Sequence, residues 1–160
     1  MTAIPPAPRD RDASGRPLNA RPRDALGRPL PRESPDAMQE LDPALLEGTP
    51  LELLAQAQRL LDAGRPFQAH EVLEAGWKRA PENERPLWRA LAQLAVGVTH
   101  SLRGNVAGAQ ALYARAAGEL EAWDVGAAPY GIDVESLAET ARRLAKAQQP
   151  QAIRLTRPRD

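Results

Sequence analysis

Thr49-Pro-Leu-Glu52-Leu-Leu-Ala-Gln-Ala-Gln-Arg-Leu-Leu-Asp-Ala-Gly64-Arg-Pro66-Phe67-Gln-Ala-His70-Glu71-Val-Leu-Glu74-Ala-Gly-Trp77 reads as two helices and the turn between them. Thr49 is an N-cap, Pro50 suits the first helical position and Glu52 completes a capping box. Leu53, Leu54, Ala57, Leu60 and Leu61 then recur at i, i+3, i+4, the stripe of an amphipathic helix. Gly64 supplies the C-terminal stop. A second helix starts near Pro66 and ends before Pro81. Its apolar stripe is Ala69, Val72, Leu73 and Gly76, extended by Trp77.

The same punctuation continues outward. A third helix begins near Pro86 and runs to about Arg103, with Leu87, Leu91, Leu94, Val98 and Leu102 on one face. Ala90, Gln93, Gly97 and His100 share most of the other face. Small residues there predict a central helix, closely packed on both sides. A fourth helix starts at Asn105 and runs toward Trp123, with Ala109, Leu112, Ala116 and Leu120 in phase. A fifth starts at the N-cap Asp133 and carries Leu137, Ala141 and Leu144. No segment alternates with period two for long enough to form a strand. The expected fold is all-α, with about five helices arranged as antiparallel helical hairpins in one compact bundle over residues 37–147. Gly64-Arg-Pro-Phe-Gln-Ala69 and Gly104-Asn-Val-Ala-Gly-Ala109 stand 40 residues apart, which two similar hairpins would produce.

Residues 1–36 hold eight of the 16 prolines and no aromatic residue, so they cannot bury enough apolar surface to offset ordering. They read as a disordered or extended Pro/Arg-rich arm. Arg11-Asp-Ala-Ser-Gly-Arg-Pro-Leu18 is echoed as Arg23-Asp-Ala-Leu-Gly-Arg-Pro-Leu30. The sharper reading of that repeat is an arm that lies on its own domain or on a partner. Residues 148–160, with three Arg and one Asp, read as a flexible basic tail. The arm and tail each carry a net charge of +2 and the helical region −4, too little convergent positive charge for nucleic-acid binding. Cysteine is absent, which excludes disulfides, thiolate zinc sites and cysteine nucleophiles. No apolar run reaches the ~20 residues of a membrane span and no signal-peptide core is visible, so a cytoplasmic protein without membrane contact is expected. The partner expected, if there is one, is a peptide or protein engaging a helical groove or the arm.

Chemistry concentrates on the second helix. At ~100° per residue, His70 and Glu74 lie side by side between Phe67 and Trp77, with Glu71 at the edge of the same face. His-Glu-x-x-Glu places two candidate ligands one turn apart, as in zinc motifs that add a glutamate base. If the second and third helices are antiparallel neighbours, His100 could complete a set of His70, Glu74 and His100 for a divalent metal such as zinc or manganese. Glu71 would then take a proton from bound water. Arg89 and Gln93 would line the same pocket with Phe67 and Trp77. The competing reading makes His70 and Glu74 a structural polar pair, joined by Arg89 or Gln93, that fixes helix register. Trp77 and Trp88 are both expected as core anchors.

At Gly64-x-x-Phe67-x-Ala-His70-Glu71-x-Leu-Glu74-x-x-Trp77, Leu91-Ala-Gln93-Leu-Ala, His100 and Arg103-Gly104-Asn105-x-x-Gly108-Ala109 the chain resembles the small all-helical proteins grouped as domain of unknown function 309. The resemblance spans about residues 53–125. It implies an all-helical fold and, by the label that family carries, a metal-dependent hydrolase. Two functional readings follow: hydrolysis of an unspecified substrate at a His/Glu metal cluster, or a non-catalytic helical interaction module in which that cluster is structural.

Overall fold

Capping fixes where the helices begin. In the computed structural model, which describes residues 13–14, 21–123 and 129–156, Glu52 N–H donates to Thr49 Oγ1 at 3.3 Å. Thr49 N–H donates back to a Glu52 carboxylate oxygen at 2.7 Å, so the capping box opens α1 (Pro50–Asp62). Gly64, at φ +71°, turns the chain into α2 (Pro66–Arg79). α3 runs Arg85–Leu102, and Gly104, at φ +78°, repeats the left-handed turn. Asn105 and Asp133 each accept a backbone N–H three residues on, from Gly108 and Ser136, and so cap α4 (Val106–Glu121) and α5 (Val134–Leu144). Among the described residues there is no strand, only an isolated bridge between Arg23 and Pro29.

Helices of 11 to 18 residues are marginal alone in water, so packing must hold them. Each packs chiefly on its neighbours in sequence, and α3 against α2 and α4 makes the two largest contacts. Missing side chains make those contacts close. A Cβ on Gly76 of α2 would stand 2.3 Å from the Trp88 ring of α3. A Cβ on Gly97 of α3 would stand 2.5 Å from the Tyr113 ring of α4. Leu73, Leu87, Leu91 and Leu94 fill the space around α3 and are fully buried. The central helix expected from small residues on α3 is therefore present. In α4, Tyr113 rather than Leu112 enters the core.

Two expectations, on Trp77 and Leu102, need correction. Trp88 is buried at 1% exposure, whereas Trp77, near the C-terminal end of α2, is only half-buried against the core edge. Leu102 is 40% exposed, since it sits in the last turn, past the reach of the neighbouring helices. The C-terminal tail is packed over its described part. Ile153 and Leu155 are buried on one side of an extended stretch, and Gln58 of α1 clamps the main chain between them. Its Nε2 donates to the Ile153 carbonyl at 3.0 Å and its Oε1 accepts from Leu155 N–H at 2.8 Å.

The two tryptophans should separate on mutation. Trp88→Ala is expected to lower stability by ~3–5 kcal/mol, as for a fully buried aromatic, and Trp77→Ala by clearly less. Urea unfolding of the two variants checks this, and equal losses would contradict the burial described.

Candidate functional site: a groove over α3 and the arm beside it

The open surface above α3 is a groove of about 240 Å³. His70, Glu74 and Trp77, at i, i+4 and i+7, form its α2 wall. Arg89, Ala92, Gln93 and Val96, also one helical stripe, form the floor, and Leu112 of α4 closes the far side. Five expected site residues thus meet here: His70, Glu74, Trp77, Arg89 and Gln93. Ala92, Val96, Leu112 and, beneath the rim, Glu119 were not anticipated. Their only sequence signal was the phase of α3 and α4, which depends on knowing which faces of those helices point outward.

Charges on the groove are paired within the chain. Glu74 accepts from Lys78 Nζ at 3.0 Å and lies 3.8 Å from His70 Nε2, too long for a hydrogen bond but close enough for attraction when His70 is protonated. Arg89 Nε meets Glu119 of α4 at 2.9 Å, and Gln93 Nε2 donates to the same carboxylate at 3.4 Å. Arg89 and Gln93 therefore join α3 to α4 rather than to the His70–Glu74 pair. His70 Nδ1 and Gln93 Oε1 are buried with no hydrogen-bond partner. Burial pushes the His70 pKa below 6.5. Glu74 pulls it up less strongly, and Lys78 adds a smaller push down.

His100 is not in the groove. Its Nδ1 accepts from the Asn105 amide at 2.8 Å, in the turn before α4. Hairpin arithmetic explains why. Gly76 faces Trp88, so antiparallel pairing puts His70 level with Leu94, and His100 level with Gly64. That is about six residues, ~9 Å, farther along the bundle. Among the described residues, no group of three or more His, Asp or Glu side chains is placed to hold a metal ion. Glu71 lies off the groove as well. Burial raises its carboxyl pKa; Arg23 of the arm acts against this, while Glu40 and Glu74 add to the rise.

Phe67, expected in the pocket, instead carries the arm. The Arg23 guanidinium lies 5.3 Å from its ring centroid, and Gly27 presses on the same ring. Gln68, buried in α2, donates to the Gln39 carbonyl at 2.7 Å. Arg23, Gly27 and Gln39 thus rest on α2 through Phe67 and Gln68. Phe67 still touches the site indirectly, since its ring stands 6.2 Å from that of His70.

Residues 54–112 match the family model for a domain of unknown function, DUF309. The match runs from α1 into α4 and takes in the whole groove, in agreement with the resemblance read from the sequence. An uncharacterized protein of Bacillus subtilis (strain 168), YpuF, is 38% identical over 74 residues, 46% of this chain and 42% of that protein. The chain thus spans less than half the length of this relative. No solved structure matches it. Among the described residues no helix is long and apolar enough to cross a membrane.

The lowered pKa of His70 has a consequence with a definite sign. A histidine that is harder to protonate folded than unfolded binds its proton preferentially in the unfolded chain. Stability should therefore fall as pH drops through the ordinary value of 6.5 toward the folded pKa. His70→Gln should flatten this part of the profile. Denaturation midpoints between about pH 8 and 5 check it, and parallel profiles for the two proteins would contradict the burial of His70.

Proposed function

We propose that this domain is a non-catalytic binding module whose groove over α3 receives a short amphipathic peptide segment. The observation that carries this reading is the lining of the groove. Its carboxylates and cations are paired within the chain, its floor is largely apolar, and among the described residues no third ligand joins His70 and Glu74. A hydrolytic centre would need converging ligands and a base aimed at one point, and His100 and Glu71 lie elsewhere. A bound segment would gain instead from covering Ala92, Val96 and Leu112 against the Trp77 ring. The floor stripe from Arg89 to Val96 spans ~10 Å, the length of two helical turns or three extended residues. His70 and Glu74 are then rim groups that orient the guest and stiffen α2.

Two measurements test this. Protein equilibrated with excess zinc or manganese and then desalted should retain no stoichiometric metal. One equivalent of metal, lost in both His70→Ala and Glu74→Ala with the fold intact, would restore the hydrolase reading. In parallel, a displayed library of amphipathic decapeptides should yield binders to the wild-type chain that fail on Val96→Glu. Equal enrichment on both proteins would remove the groove as the binding surface.

A further inference from the structure

The segment Arg23-Asp-Ala-Leu-Gly-Arg-Pro-Leu30 is folded on itself as well as on the domain. Asp24 Oδ1 accepts from Leu26 N–H at 2.9 Å and Arg28 N–H at 2.8 Å, a side-chain-closed turn of the kind aspartate favours. Gly27 N–H donates to the Asp24 carbonyl at 2.9 Å, and Asp24 N–H to the Arg28 carbonyl at 3.1 Å. Gly27 is left-handed, at φ +72°. Arg23 Nη1 donates to the Gly27 carbonyl at 2.5 Å while its guanidinium lies over Phe67.

The domain reads this turn with few groups. The Phe67 ring takes the guanidinium on one part and Gly27 on another, where a Cβ would come within 2.2 Å of the ring. Arg103 Nη2 donates to the Leu26 carbonyl. Met38 N–H donates to the Arg23 carbonyl at 2.7 Å. Within the turn the Arg28 guanidinium lies 3.8 Å from the Asp24 carboxylate, and the contacts described at Leu26 are made by its main chain.

Arg11-Asp-Ala-Ser-Gly-Arg-Pro-Leu18 supplies all of these. Arg11, Asp12, Gly15, Arg16, Pro17 and Leu18 stand where Arg23, Asp24, Gly27, Arg28, Pro29 and Leu30 stand in the docked copy. The one change, Ser14 for Leu26, falls where the contacts described are made by backbone N–H and C=O. Ala13 and Ser14, the described residues of this copy, form a turn at the same place as Ala25 and Leu26.

We propose that the Phe67–Arg103 face is a receptor for the turn Arg-Asp-Ala-x-Gly-Arg-Pro-Leu, and that residues 11–18 are its second ligand, exchanging on the same domain with residues 23–30. The first copy is tethered to the domain through the same arm, with 12 more residues of slack than the second. Closure entropy grows only logarithmically with such slack, so the tether disfavours the exchange weakly. Exchange keeps Phe67 and the adjoining face of α2 covered when a partner captures either copy.

Phe67 is the chain's only phenylalanine, so full-length protein grown with 4-fluorophenylalanine gives a single fluorine resonance from the docking face. Gly27→Val places a branched side chain at positive φ and against the ring, which unseats the second copy. Its resonance should stay near the wild-type position, as should that of Gly15→Val, and the double variant should shift away from both. Arg23→Ala, Arg11→Ala and their double should repeat the pattern, with helical circular dichroism unchanged throughout. If Gly27→Val already shifts as far as the double variant, the first copy is no ligand and the proposal is overturned. A double variant at the wild-type position would equally overturn it, because the turn would not be what the face reads. The Gly27→Val resonance should not move on dilution; movement would mean that the replacing copy comes from another chain, which contradicts exchange on one domain.

Discussion

The close approach of α3 to both of its neighbours sets the rest of the structure. It depends on two absent Cβ atoms. Gly76 lets the Trp88 ring lie against the α2 backbone, and Gly97 lets the Tyr113 ring lie against α3. Aromatic rings are the largest side chains available to fill an interface, and here each is seated in a notch made by a glycine. Because Trp88 points from α3 into α2 while Gly97 of α3 receives Tyr113 from α4, α3 is locked on two sides. The side of α3 left over, Arg89, Ala92, Gln93 and Val96, cannot be covered by those same neighbours and becomes the floor of a groove. The groove is thus a consequence of how three helices meet, not of a loop or an insertion.

Polar residues around that groove divide into two intramolecular sets. Along α2, His70, Glu74 and Lys78 form a ladder at i, i+4 spacing, the usual way a helix pairs its own charges. Between α3 and α4, Arg89 and Gln93 share the carboxylate of Glu119. The first set stiffens one wall and the second ties the floor to the opposite wall. An arginine and an amide converging on one half-buried carboxylate need two helices in fixed register, so this bracket and the glycine notches reinforce one another.

Much of this was legible in the chain, for reasons that are local. Thr49-Pro-x-Glu52, Gly64, Gly104, Asn105 and Asp133 act within three or four residues of themselves, and each appears where its chemistry requires. The pairing of His70 with Glu74 also lies within one helix. His100 failed as a third ligand because its place relative to His70 is set by the Gly76–Trp88 contact, a packing event between helices that periodicity does not encode. Trp77 and Trp88 show the same limit. Both were expected as core anchors, but it is Trp88 that is seated against a glycine of the neighbouring helix. Phe67 was read as lining the pocket because its partner, Gly27, lies 40 residues earlier in a segment whose composition suggests no structure. Proline density describes what a segment cannot bury by itself. It is silent about a preformed turn resting on someone else's ring.

The arm changes the electrostatics of the helix it rests on. Arg23 of the arm and Glu40, in the segment that follows it, act on Glu71 with opposite sign, Arg23 favouring the carboxylate and Glu40 opposing it. Burial opposes it most strongly. Phe67 joins the arm to the groove by packing alone. Its ring carries the Arg23 guanidinium and Gly27 on one side and stands 6.2 Å from the His70 ring on the other. The surface of α2 closed by the arm and the surface open over α3 therefore meet at one aromatic side chain, so a change in how the arm seats on Phe67 is felt at the wall of the groove through direct contact.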